Sequence, residues 1–157
     1  MFIAIRERLE RGREEGGFTL IELMVVVLII AILIAIAIPT FLGARKRAQD
    51  RAVQSNVRNA FVAEKTYYTD NSLYTETPAD LTAIEPALNY TTGLTPAFAA
   101  STVYVKVSGS TLYVSAKSAS GKCFYLKDDA ATATTYASDA ACAAADAPPA
   151  GGYVSAW

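Results

Sequence analysis

From Leu23 to Ile38 the chain has no polar side chain: Leu23 is followed without interruption by MVVVLIIAILIAIAI. With Phe18 to Ile21 before it, and Phe41 and Leu42 after Pro39, the run exceeds the about 20 residues that a helix needs to cross a bilayer. One carboxylate, Glu22, interrupts it. A charge at the centre of a membrane helix costs about 2.5–3.5 kcal/mol on insertion scales, less near an end, and usually has a functional reason.

The segment Gly17-Phe18-Thr19-Leu20-Ile21-Glu22-Leu23, with Pro39 further on, resembles the type IV pilins and their pseudopilin relatives, whose precursors carry a glycine followed by FTLIEL and a spanning helix. This resemblance is dense over the first third of the chain. It implies an N-terminal helix that packs into a helical filament after removal of a leader.

Residues 1–17 read as that leader. Arg6, Arg8, Arg11 and Arg13 alternate with Glu7, Glu10, Glu14 and Glu15, and Gly16-Gly17 end the segment immediately before the apolar run. An ordinary secretory signal places its cleavage site after the apolar region. Here the candidate site precedes it, so a cut between Gly17 and Phe18 leaves the hydrophobic helix on the mature chain. The resemblance implies that a dedicated prepilin peptidase makes this cut and that the new amine of Phe18 is N-methylated. Glycine suits the position because a missing side chain lets a protease approach the backbone. The alternative is an uncut signal anchor.

Charge does not orient the span. The leader's arginines are balanced by Arg45, Lys46, Arg47 and Arg51 beyond the far end. The resemblance places the leader in the cytoplasm, the precursor as a single-pass protein of the cytoplasmic (inner) membrane, and the assembled chain outside the cell. The basic cluster at 45–51 is of the kind that meets anionic lipid or DNA, or simply marks a solvated boundary.

After the cut, the Phe18 ammonium lies one helical turn from Glu22, and each neutralises the other where an unpaired charge is costly. The resemblance favours a neighbouring subunit's Phe18 as the partner, which makes Glu22 a registry device for assembly. The alternative is a Glu22 that snorkels to the interface. Pro39 removes one backbone hydrogen bond inside the helical pattern and predicts a kink or local melting.

Beyond Gly43 the pattern becomes amphipathic, with Ala48, Ala52, Val53, Val57, Ala60, Phe61, Tyr67 and Tyr68 at helical intervals. A helix from Phe18 to about Tyr68 is roughly 75 Å long, and Asp70-Asn71-Ser72 is the predicted end. The organisation expected is a leader at 1–17, a hydrophobic filament-core helix at 18–42, its amphipathic continuation at 43–71 and a globular head at 72–157.

Within the head, Thr77-Pro78-Ala79-Asp80 has the order of an N-cap, a first-turn proline and an acid three residues after the cap, predicting a short helix ended near Pro86. Alternating runs at 102–107, 111–117 and 122–127 predict an antiparallel meander of three or four strands across the amphipathic helix. The fold class is α+β. Cys123 and Cys142 fit neither a zinc nor a thioredoxin spacing. In an exported head the pair reads as a disulfide rather than two free thiols, and the resemblance makes it the boundary of the pilins' C-terminal loop. Asp128, Asp129 and Asp139 form a loop-like acidic group, either hydrated or, as in some pseudopilins, calcium-binding. Asn89-Tyr90-Thr91 fits a glycosylation sequon.

The chain has 157 residues, net charge −1 and no histidine. That leaves room for one modest domain beside the span, predicts no general nucleic-acid affinity, and removes the commonest general base and metal ligand. No phosphate loop, paired-cysteine framework or nucleophile elbow is present in the sequence. No enzyme, cofactor or metal is expected. The reading is the major pilin of a type IV pilus, a self-associating filament subunit whose other partners are the prepilin peptidase and the pilus assembly platform and motor. Adhesion and twitching motility would then be functions of the whole filament. The alternatives are a pseudopilin of a type II secretion system, a minor pilin, or a membrane-anchored binding module that never polymerises.

Overall fold

A computed structural model describes residues 17–92, 102–129, 132–140, 142 and 152–157. The leader before Gly17 and the stretch 143–151 of the C-terminal loop lie outside these residues. The chain divides into two units between Leu42 and Gly43.

Helix α1 runs from Leu20 to Asn71, with Pro39 inside it and no break in the helical assignment. Its end has a local cause. Ser72 adopts a left-handed φ of 59°, its N–H donating to the Tyr68 carbonyl at 2.7 Å, and the Asn71 side chain caps the Tyr67 carbonyl at 3.0 Å. Helix α2 follows at Pro78–Ile84, as the proline at its first position predicts. Its capping differs from the expectation, because the Thr77 side chain makes no cap bond. The Asp80 carboxylate instead accepts from the Thr75 hydroxyl at 3.0 Å, and that hydroxyl accepts from the Thr77 N–H at 3.0 Å.

Five strands form one sheet in sequence order: β1 (Asn89–Thr92), β2 (Thr102–Ser108), β3 (Thr111–Lys117), β4 (Cys123–Asp129) and β5 (Thr132–Asp139). The expected meander accounts for β2, β3 and β4. Two strands correct it: β1 pairs parallel to β2, and β5 pairs antiparallel to β4 within a stretch whose composition suggested only a loop. The β2–β3 hairpin closes through Gly109-Ser110, with Ser108 opposite Thr111 and Gly109 at φ +62°. A two-residue turn of this hand needs positive φ at its first position, which glycine adopts without strain.

The register places Val103, Val105, Leu112, Val114, Ala116, Phe124 and Leu126 on one face. That face packs with Val53, Val57, Ala60 and Ala63 of α1 and Leu81 of α2 in a single core. On the opposite face Tyr104, Cys123, Tyr125 and Ala137 form a smaller cluster covered by Cys142 and Tyr153. The chain end returns to the β5 edge: Tyr136 and Val154 exchange backbone bonds at 2.7 Å, and the Trp157 indole donates to the Ala137 carbonyl at 2.8 Å. An unpaired strand edge is thereby covered.

Candidate functional site

The N-terminal segment is the candidate site. Helix α1 starts directly after Thr19, and Thr19 and Glu22 close a capping box. The Thr19 N–H and hydroxyl both donate to Glu22 Oε2, at 2.9 and 2.7 Å, and the Glu22 N–H donates to Thr19 Oγ1 at 3.2 Å. The TxxE spacing therefore has a role inside one chain that the sequence reading missed, although the threonine and glutamate three apart were its signal. A cut before Phe18 leaves both partners on the same chain.

A side chain at Gly17 would meet nothing within 4 Å among the described residues, so none of them requires glycine there. Phe18 is 85% exposed, and the large apolar side chains from Leu20 to Leu42 all stand open. This helix is long and apolar enough to cross a membrane. A continuous apolar surface of that extent calls for lipid or another protein surface to cover it.

Arg45, Lys46, Arg47 and Arg51 are exposed. Among the described residues the ion pairs are Lys65–Asp128 and Lys106–Glu76, so none of the four cations is in one.

Cys123 and Cys142 are joined as a disulfide with Cα atoms 5.3 Å apart. The acidic group near it is separated by the fold. Asp128 and Asp129 are consecutive in β4 and so face opposite sides of the sheet. Asp128 Oδ2 accepts from Lys65 and Tyr74, and Oδ1 from Thr134, each at 2.6 Å. Asp129 accepts from the Thr111 hydroxyl at 3.0 Å. Burial acts to raise the Asp128 carboxyl but is outweighed by the bonds from Lys65, Thr134 and Tyr74, which hold it below the usual range. Lys65 also donates to the Tyr74 hydroxyl at 2.6 Å, and its ammonium lies within 6 Å of the rings of Phe61, Tyr68 and Tyr74.

Further polar contacts tie α1 and the following linker to the sheet and to each other. Asp50 accepts from the Ser120 hydroxyl in the β3–β4 turn. Glu76 accepts from the Val107 N–H at 2.6 Å and pairs with Lys106 at 3.1 Å. Val107 lies past the described β1–β2 pairing, which runs to Thr92 opposite Val105, and Glu76 satisfies its backbone donor. Glu64, fully buried on α1, accepts from the Thr75 N–H at 3.2 Å.

Comparison with known proteins adds to this geometry. Residues 12–38 match the prokaryotic N-terminal methylation motif. The chain is 40% identical over 72 residues to the type IV wide pilus major component of Thermus thermophilus, a match covering 46% of this chain and 55% of that protein. It is 42% identical over 60 residues to the type IV major pilin of Myxococcus xanthus, covering 38% and 27%. It is 34% identical over 76 residues to the type II secretion system core protein G of Vibrio cholerae, covering 48% and 52%. The chain thus spans about half the length of two of these relatives and about a quarter of the third. Over its N-terminal half, where the methylation motif and the apolar helix lie, the chain is similar to type IV pilus components and to a type II secretion system core protein.

Proposed function

We propose that this chain is the major pilin of a type IV pilus. The observation that carries the reading is the exposed apolar surface of α1 from Leu20 to Leu42, interrupted by Glu22 and Thr40, which begins within the Gly-Phe-Thr-Leu-Ile-Glu-Leu segment. Contacts of one such helix with the next are heterologous and do not close, so they propagate a filament. The pilus components among the relatives, at 40% and 42% identity, support the same reading.

In this account a prepilin peptidase removes residues 1–17, the Phe18 amine is methylated, and the chain waits in the cytoplasmic membrane through residues 18–42. The assembly platform and motor then move it into the filament. The head, residues 72–157, is displayed on the filament surface. Glu22 sets the axial register by pairing with a neighbour's Phe18 amine through the oxygen that the capping box leaves over, since the bonds from Thr19 all fall on Oε2. Pro39 supplies the compliant point of the helix, because it cannot donate to the Ala35 carbonyl.

A subunit of a type II secretion pseudopilus is the second reading, favoured by the 34% identity to core protein G. Shearing the cell surface separates the two. A major pilin is the dominant band of the sheared filaments and its deletion removes them. A chain retained in the membrane fraction, with filaments unchanged on deletion, overturns the proposal.

A further inference from the structure

We infer that Arg45, Lys46, Arg47 and Arg51 form a collar that binds the phosphates of anionic lipid headgroups while the chain is in the membrane. The inference rests on the membrane-spanning reading of residues 18–42, but not on filament assembly.

The apolar side chains from Leu20 to Leu42 occupy roughly 35 Å of helix, against a hydrocarbon core of about 30 Å. Arg45 follows Leu42 by three residues, and 45–51 cover roughly another 10 Å of helix. The headgroup layer on each side of a bilayer is about 5–8 Å deep, so the cations emerge where phosphates lie. All four are exposed. None is in an ion pair among the described residues.

The one acid in the segment, Asp50, is bonded to Ser120 in the β3–β4 turn rather than to a neighbouring cation. The segment carries four cations and one acid, whereas in the leader four arginines face four glutamates. Three of the four cations are arginines, whose planar guanidinium matches phosphate bidentately.

The full chain is placed in nanodiscs of equal parts phosphatidylglycerol and phosphatidylcholine, and the lipids it retains on ejection are weighed by mass spectrometry. Phosphatidylglycerol should be enriched by about fivefold or more, the factor expected of even one basic residue at an anionic surface. A variant with Arg45→Gln, Lys46→Gln, Arg47→Gln and Arg51→Gln should fall to the bulk ratio. A variant with Arg45→Lys, Arg47→Lys and Arg51→Lys should keep part of the enrichment, because the charges remain while the bidentate geometry is lost. Trp157 fluorescence checks that each head is folded.

Bulk-ratio lipid on the unmodified chain, or undiminished enrichment in the glutamine variant, overturns the collar. So does loss of enrichment on adding inorganic phosphate, which would make it a site for a free anion. Cross-links between chains that vanish with the glutamine substitutions while lipid stays at the bulk ratio would assign the cations to a second copy and also overturn it. A chain that fails to enter the disc sinks the membrane reading as well, whereas one that enters at the bulk ratio sinks only the collar.

Discussion

Glu64 is the residue at which burial and charge conflict most directly. It is 0% exposed, and among the described residues its Oε1 has no hydrogen-bond partner. Burial pushes its carboxyl from 4.5 up to about 7, against the bond from Thr75 and with help from the nearby Asp80 and Glu76 charges. The folded chain therefore keeps this proton where the unfolded chain has lost it. The resulting stability is fully present below about pH 4.5 and declines as pH rises to about 7. Glu64→Gln should flatten that slope and stabilise the head at pH 8 by roughly 1–3 kcal/mol, read from denaturation followed by Trp157 fluorescence. Asp128 works in the opposite sense, since its carboxyl is held low and its contribution is lost only as pH falls into the acid range. Asp128→Ala strands Lys65, Tyr74 and Thr134 and should cost roughly 2–3 kcal/mol in the same assay. A loss under 0.5 kcal/mol would show that water replaces the carboxylate without penalty. Neither residue was legible in the sequence. A carboxylate argues for a solvent face, and only the register of β4 against β3, with Asp128 opposite Leu112, puts it on the core side.

At the scale of elements, the disulfide closes a loop with a sequence separation of 19. Replacing both cysteines with serine should lower head stability by roughly 3 kcal/mol, visible as a lower melting temperature, and an unchanged melt would mean that β5 and the chain end hold the region alone. Pro39→Ala should restore a donor to the Ala35 carbonyl and slow amide exchange around residues 39–43 in detergent. Equal exchange would remove the compliance assigned to Pro39. The elements read correctly from sequence were the apolar run of α1, the apolar runs of β2, β3 and β4, and the proline start of α2. β1 and β5 lack that signal. Asn89-Tyr90-Thr91-Thr92 and TATTYASD hold threonines and tyrosines that fit a pleated surface only once a neighbouring strand is offered, so their pairing is a tertiary effect. The sequon at Asn89 falls in β1 rather than in a loop. The amphipathic face of α1 was legible through Val53, Val57 and Ala60, and missed Ala63 and Glu64.

For the whole molecule, the two units have different demands. The sheet and the second half of α1 bury a core within one chain, whereas the side chains from Leu20 to Leu42 remain open. The N-terminal methylation motif was readable residue by residue; the partner that covers the apolar helix was not, because a single chain contains no second copy. Glu22→Val should leave membrane insertion unchanged and lower the yield of sheared filaments at least tenfold, the factor that about 1.4 kcal/mol of lost pairing gives. Undiminished filaments would leave Glu22 only its capping box with Thr19. If the clipped chain itself builds the filament, intact-mass measurement of purified surface filaments will find a dominant species that begins at N-methylated Phe18, with its two cysteines oxidised. Filaments lacking this chain, or a chain found only in the membrane with residues 1–17 attached in cells that assemble pili, would contradict it.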